Sequence, residues 1–226
     1  DFLKDQNIPI KKFIEDSDEG NIIKPNLNDL SRLLNICIAT NPSNIIEFGC
    51  GYSSYIFHHY LKNKNNHTSK KNNLHIIEVH ERFLKIAINR IERLADNVEV
   101  FQDICNVKED LYRNDGSHKY LANYRFSPDI IYLDGPDPAD IMDKNFLPDN
   151  QRVPISADIL SIESWLIPGT IIIIDGRMAN VEYLKIHLKR NWQWGINHEN
   201  DCSIAILIDK PLGLKNIQTL KERGLM

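Results

Sequence analysis

The segment from Asn44 to Ser54, NIIEFGCGYSS, restricts the fold more than any other part of this 226-residue chain. Three apolar residues, Ile45, Ile46 and Phe48, lead directly into two glycines, and a helical pattern then runs from Tyr52 to Leu61. A short apolar run bounded by glycine reads as a buried strand. Gly49 and Gly51 let the backbone bend and approach a ligand with no Cβ in the way. The pattern predicts a strand that turns straight into a helix N-terminus, where unpaired N–H groups attract a negative group.

Glu47 narrows the choice of ligand. It stands two residues before the first glycine, and the third glycine of the dinucleotide fingerprint is replaced by Ser54. A carboxylate at that point repels a pyrophosphate, so a nicotinamide dinucleotide is disfavoured. A ligand with an ammonium or sulfonium group beside a carboxylate suits both features: its cation faces Glu47 and its carboxylate takes the helix-start amides. S-adenosylmethionine carries all three groups.

On these residues the chain resembles the Rossmann-like, class I S-adenosylmethionine-dependent methyltransferases, whose first motif, acid-x-Gly-x-Gly, is matched by Glu47-Phe-Gly-Cys-Gly51. Three further apolar runs carry acids at their ends in that family's order: Glu78 after Leu74, Asp103 after Val98 and Asp134 after Asp129. The resemblance covers residues 44–210. It implies that Glu78 holds the ribose hydroxyls, Asp103 meets the adenine amino group and Asp134 adjoins the methyl-transfer centre. Gly49, Gly51, Tyr52, Ser53, Val79 and Ile104 complete the implied cofactor contacts. This reading expects Glu47, Glu78 and Asp103 to line one cavity. The implied fold is an α/β, Rossmann-like three-layer sandwich, with a seven-stranded, mostly parallel sheet whose one antiparallel strand comes from a C-terminal hairpin.

Within that family the chain looks closest to the small-molecule O-methyltransferase branch. Open α/β sheets place chemistry at the carboxyl ends of their strands, which points to Asp134, Asp175 and the adjoining Arg177 as catalytic residues. The two acids serve either as a general base for an acceptor hydroxyl or as ligands of a divalent cation. The branch holds magnesium with an Asp after the fourth strand and an Asp-Asn pair after the fifth. Here Gly176 replaces the Asn, with Asn180 and Asp137 as substitutes, so metal dependence stays open. Arg177 suits an acceptor carboxylate or phosphate, or else pairs with a surface acid. The acceptor expected is a small polar molecule, anionic or sugar-like, under a lid formed by residues 136–154.

Alternating strands and helices predict the parallel sheet with helices on both faces. Residues 1–43 read as an N-terminal arm and helix, 44–210 as the cofactor-binding domain and 211–226 as a tail. The first 26 residues are expected to form a loosely packed arm or substrate-side cap. Asn28 should cap a helix over 27–39, residues 82–94 another helix, and 104–128 a connector of one helix and a loop. The Lys/Asn-rich stretch 62–73 reads as an extended surface loop. A net charge of −4 argues against a nucleic-acid partner, no apolar run is long enough for a membrane, and four cysteines without metal-type spacing fit reduced thiols in the cytoplasm. Homo-oligomerisation is left open. Two other classes stay in view, an aminopropyltransferase-like enzyme and a non-catalytic, partner-binding subunit.

Overall fold

The computed structural model describes residues 2–20, 23–64, 71–91, 97–136, 154–199 and 201–210, together with 218 and 221. Its centre is a seven-stranded sheet. Strands β1 (Asn44–Phe48), β2 (Asn72–Glu78) and β3 (Val98–Ile104) run parallel. Two short strands, β4 (Val107–Glu109) and β5 (His118–Tyr120), form a separate antiparallel ribbon. Strands β6 (Ile130–Leu133) and β7 (Ile171–Asp175) continue the parallel sheet, and the hairpin β8 (Trp192–Asn197) and β9 (Cys202–Leu207) closes it. The order is β3-β2-β1-β6-β7-β9-β8, and β9 is the one strand that runs antiparallel to its neighbours.

The strand sequences explain this architecture. Ile45, Ile46 and Phe48 in β1, and Ile171 to Ile174 in β7, are buried on both faces of the sheet, as near-continuous apolar strands require. One face is covered by α3 (Leu27–Thr40), α4 (Tyr52–Asn63) and α5 (Glu81–Arg90). The other is covered by α6 (Ala157–Ile162), its 3-10 extension to Trp165, α7 (Met178–His187) and the β4–β5 ribbon.

Several expectations are corrected. The N-terminal arm is not loose: it forms α1 (Phe2–Asp5) and α2 (Ile10–Gly20), and Leu3 and Phe13 are each 1% exposed within the core under α3 and α4. The buried Tyr52 hydroxyl donates to the Phe13 carbonyl at 2.9 Å, which fastens α2 to α4. The α3 cap is Asn26, two residues earlier than expected, because its side chain accepts the Asn28 and Asp29 amides. Residues 104–128 hold no helix. Val107 to Glu109 instead pairs with His118 to Tyr120, and the buried Asp158 carboxylate accepts the Tyr120 amide and the Tyr124 hydroxyl, tying this connector to α6. The tract 62–73 is shortened from both ends by α4 and β2, with residues 65–70 outside the described set. The expected lid lies almost wholly there too, since 137–153 are not described. The tail begins at 211, beyond the main described segments.

The four cysteines are free thiols. Among the described residues no helix is long and apolar enough to cross a membrane.

If the arm belongs to the core, Phe13→Ala should cost about 3–5 kcal/mol of stability, the usual range for a large core aromatic. Urea titration followed by far-UV circular dichroism checks this, and a change within error would show that the arm is dispensable.

Candidate active site

The sheet reverses its direction of growth between β1 and β6, the switch point at which open α/β sheets leave a crevice. The turn after β1 is shaped by a close contact of two glycines. Gly49 has φ +83°, and a Cβ built on it would fall 2.7 Å from the Gly135 Cα. A Cβ on Gly135 would in turn fall 2.5 Å from the Gly49 Cα. Neither position accepts a side chain, so the β1 and β6 ends touch backbone to backbone. At Gly51 the situation differs: the nearest atom to a Cβ there is the Ser53 Oγ at 3.9 Å, which leaves open space on that side.

Glu47 is fully buried and accepts the Ser53 hydroxyl at 2.5 Å and the Ser54 hydroxyl at 2.6 Å. Ser54 also accepts the Gly51 amide at 3.3 Å. Glycine at the N-cap offers no side chain to the first amides of α4, so these are left for a ligand. Burial lifts the Glu47 carboxyl to about 8, against the lowering effect of the two serine hydroxyls. Glu78 supports the same turn. Its Oε2 accepts the Cys50 amide at 3.0 Å and its Oε1 accepts the Val79 and His80 amides at 2.7 and 3.0 Å.

Beside this turn lies a cleft of about 360 Å³, lined by Gly51, Tyr52 and Ser53 from α4, Phe83 and Arg90 from α5, and Asp134 and Asp175 from the sheet. Asp29, Leu30 and Leu33 of α3 form the opposite wall, so the cleft combines an apolar side with converging carboxylates. Asp134 opens into it, and its carboxyl is pushed up to about 7 by burial first and then by the nearby Asp175 charge. Asp175 accepts the Tyr132 hydroxyl at 2.9 Å and pairs with Arg32 at 3.4 Å, while Arg32 also holds Asp29 at 2.9 Å. Burial raises the Asp175 carboxyl as well.

Glu47, Glu78 and Asp103 are not among the described residues that line this cleft. Glu47 and Glu78 lie behind the turn and shape it. Asp103 is turned along the sheet to His75, whose Nε2 is 2.9 Å away, on the face that carries Ile77 and Phe101. Val79 adjoins Glu78, and Ile104 projects outward, half exposed. The Arg177 guanidinium donates to the Asp134 carbonyl at 2.5 Å and the Pro136 carbonyl at 2.6 Å, so it braces the loop after β6.

The described residues do not compose a magnesium site. No cluster of three or more acidic, His or Cys ligands occurs among them. The Asn180 oxygen accepts the Ile155 amide at 2.6 Å, Asp175 is held by Arg32 and Tyr132, and Asp137 lies outside the described set. The cleft residues that the sequence did not mark as site residues include Asp29, Tyr132, Arg90 and Lys24. Asp29 carried a faint signal, being spaced three residues from Arg32 on α3.

No family model matches this sequence, and no curated protein matches it. Solved structures do match in fold. An O-methyltransferase from Bacillus cereus, in complex with SAH, aligns with a TM-score of 0.55 at 17% identity, covering 92% of this chain and 96% of that one. The O-methyltransferase TomG from Streptomyces achromogenes, in complex with SAM, gives 0.55 at 14% identity over 88% and 89%. The SAH-bound methyltransferase PaMTH1 from Podospora anserina gives 0.55 at 13% identity over 92% and 88%. The chain thus has the Rossmann-like architecture of these proteins across most of its length.

The raised carboxyls set the pH dependence of stability. Glu47, Asp134 and Asp158 stand at about 8, 7 and 7, so each keeps in the folded state a proton that the unfolded chain loses near its ordinary value of about 4. The folded state binds more protons across this window, and stability should therefore fall as pH rises from 5 to 8. Melting temperatures across that range should show the fall, and Glu47→Gln should make it shallower. An unchanged slope in the variant would mean that Glu47 is ionised in the folded protein.

Proposed function

We propose that this chain is an S-adenosylmethionine-dependent methyltransferase that methylates a hydroxyl of a small polar acceptor. The observation that carries this reading is the uncapped start of α4, held by the buried Glu47, opening into the same cleft as Asp134 at the carboxyl ends of the central strands. The fold shared with methyltransferases solved with SAM or SAH supports it.

The residues fit the cofactor at its amino-acid end. The α4 amides at Tyr52 and Ser53 suit its carboxylate, the open side of Gly51 admits it without collision, and the acids of the cleft suit its cationic groups. Glu47 acts in this scheme through Ser53 and Ser54, by fixing the turn. The resemblance gives Glu78 to the ribose hydroxyls and Asp103 to the adenine amino group; here Glu78 accepts the Cys50, Val79 and His80 amides and Asp103 lies 2.9 Å from His75 Nε2. S-adenosylmethionine supplies an electrophilic methyl group when bound.

Asp134 takes the proton of the acceptor hydroxyl. A carboxyl near 7 is matched to that task, because at neutral pH it is both substantially ionised and basic enough to accept a proton. Asp175, steadied by Tyr132 and Arg32, raises the Asp134 pKa by its charge. Arg177 positions Asp134 by holding its carbonyl and that of Pro136. Arg177 gives its two terminal nitrogens to backbone carbonyls, while its buried Nε has no partner among the described residues. Asp29, Asp134 and Asp175 together favour a second reading, in which a cationic amine is the acceptor of a methyl or an aminopropyl group.

Calorimetric titration with S-adenosylmethionine and S-adenosylhomocysteine should give binding of both, and absence of heat from either would end the methyltransferase reading. Across a panel of hydroxylated and amine acceptors, turnover should rise with pH through about 7 and level off above it. Asp134→Asn should abolish that rise while S-adenosylhomocysteine affinity persists. Turnover measured with EDTA and again after magnesium is restored decides the metal question that the sequence leaves open: activity unaffected by EDTA would exclude a divalent cation, and loss restored by magnesium would assign one. Binding without turnover across the panel would favour a non-catalytic subunit.

A further inference from the structure

A second cavity, of about 380 Å³, lies on the helical layer between α2, α4 and the end of α5. It exists because the N-terminal arm is folded onto α4: Pro9, Lys12, Phe13 and Asp16 form one wall and Tyr55, His58, His59 and Lys62 the other. Arg90 and Ile91 close its floor. Two of these side chains are buried with unmet hydrogen-bonding capacity. Arg90 is 7% exposed, its guanidinium lies 3.8 Å over the Tyr52 ring, and its Nε and Nη2 have no partner. His58 is 4% exposed, and its Nε2 likewise has none. Buried donors left unpaired are costly, and the two unpaired guanidinium nitrogens of Arg90 indicate a group that accepts hydrogen bonds, which the Nε2-protonated tautomer of His58 would also serve.

Charge defines that group more closely. Among the described lining residues the permanent cations Lys12, Lys62 and Arg90 outnumber the one carboxylate, Asp16, so this lining is basic before either histidine is protonated. A phosphomonoester carries close to two negative charges at neutral pH and presents three acceptor oxygens. Arginine and lysine are the usual partners of such groups, and the planar guanidinium can give two parallel hydrogen bonds. Phe13 and the stacked pair of Tyr55 and His59 add flat surface for an organic body attached to the phosphate. The volume exceeds what a bare phosphate needs and matches a small ligand.

We propose that this cavity is a binding site for a small phosphomonoester, separate from the cleft at the strand ends, with Arg90, Lys62 and Lys12 on the phosphate and His58 as a further donor. Arg90 also lines the cleft, so this residue borders both cavities. The assignment depends on this cavity alone and stands whether or not the cleft binds S-adenosylmethionine.

The test uses calorimetry on the whole chain with adenosine 5′-monophosphate, glycerol 3-phosphate, inorganic phosphate and, as control, sulfate. At least one monoester should bind more tightly than sulfate. Lys62→Glu, which alters only this cavity, should weaken it by about ten- to a hundredfold, the effect of losing a hydrogen bond to a charged group. Affinity for S-adenosylhomocysteine should be the same in Lys62→Glu as in the unaltered chain, which separates this site from the cleft. The His58 ring resonances should shift on monoester addition. Inorganic phosphate binding as tightly as both monoesters would overturn the role given to the organic body. Failure of every phosphate to exceed sulfate, or equal monoester affinity in Lys62→Glu, would overturn the site itself. If Lys62→Glu does not fold, Lys12→Glu on the opposite wall gives the same reading.

Discussion

A buried carboxylate joined to the first turn of a helix fixes where everything else in the functional half of the molecule can be. Glu47 sits in the middle strand region with no solvent contact, and its two oxygens receive the hydroxyls of Ser53 and Ser54. A buried acid is tolerated when it is protonated or well hydrogen-bonded; burial raises this carboxyl to about 8, and two serine hydroxyls serve its oxygens. The cross-link sets the angle at which α4 leaves β1. The Gly49–Gly135 contact then brings the end of β6 against the same turn, so Asp134 and the α4 amides share one cleft.

Around that junction the fold uses carboxylates as struts. Asp129 accepts the Ser43 and Asn44 amides and aligns β1 with β6. Asp158 holds the β4–β5 ribbon, and Glu163 accepts the Lys189 and Arg190 amides and the Trp192 indole N–H at the entry to the hairpin. These bonds answer the backbone donors that irregular connections would otherwise leave unpaired. Arg177 does the complementary work for carbonyls. Its position behind Asp134 links the loop after β7 to the loop after β6, the two segments from which the cleft draws its acids.

The N-terminal arm changes the character of the helical layer. By seating Leu3 and Phe13 in the core and receiving the Tyr52 hydroxyl on the Phe13 carbonyl, it builds a wall over α4 and creates the basic cavity. Arg90 is the common element of the two cavities. Its guanidinium is held by the face of Tyr52, which is itself the first residue of α4 and part of the cleft. The side chains that connect the arm to the glycine turn are therefore few and aromatic, a short mechanical path between distant parts of the sequence.

The strands, the glycine turn, the closing hairpin and the reversed strand were legible from the sequence, because apolar runs bounded by glycine and turn residues act locally. The importance of Glu47 was legible too, from its place before two glycines. What the sequence did not reveal was the direction in which each carboxylate points. Glu47 faces serines, Glu78 faces amides and Asp103 faces His75, and those choices depend on partners 6, 28 and 28 residues away in sequence. The ribbon at 107–120, the packed arm and the commitment of Arg177 to carbonyls are decided in the same way. Local pattern determines which segments become strand or helix, but burial and hydrogen-bond satisfaction across the fold determine which polar side chains are left to meet a ligand.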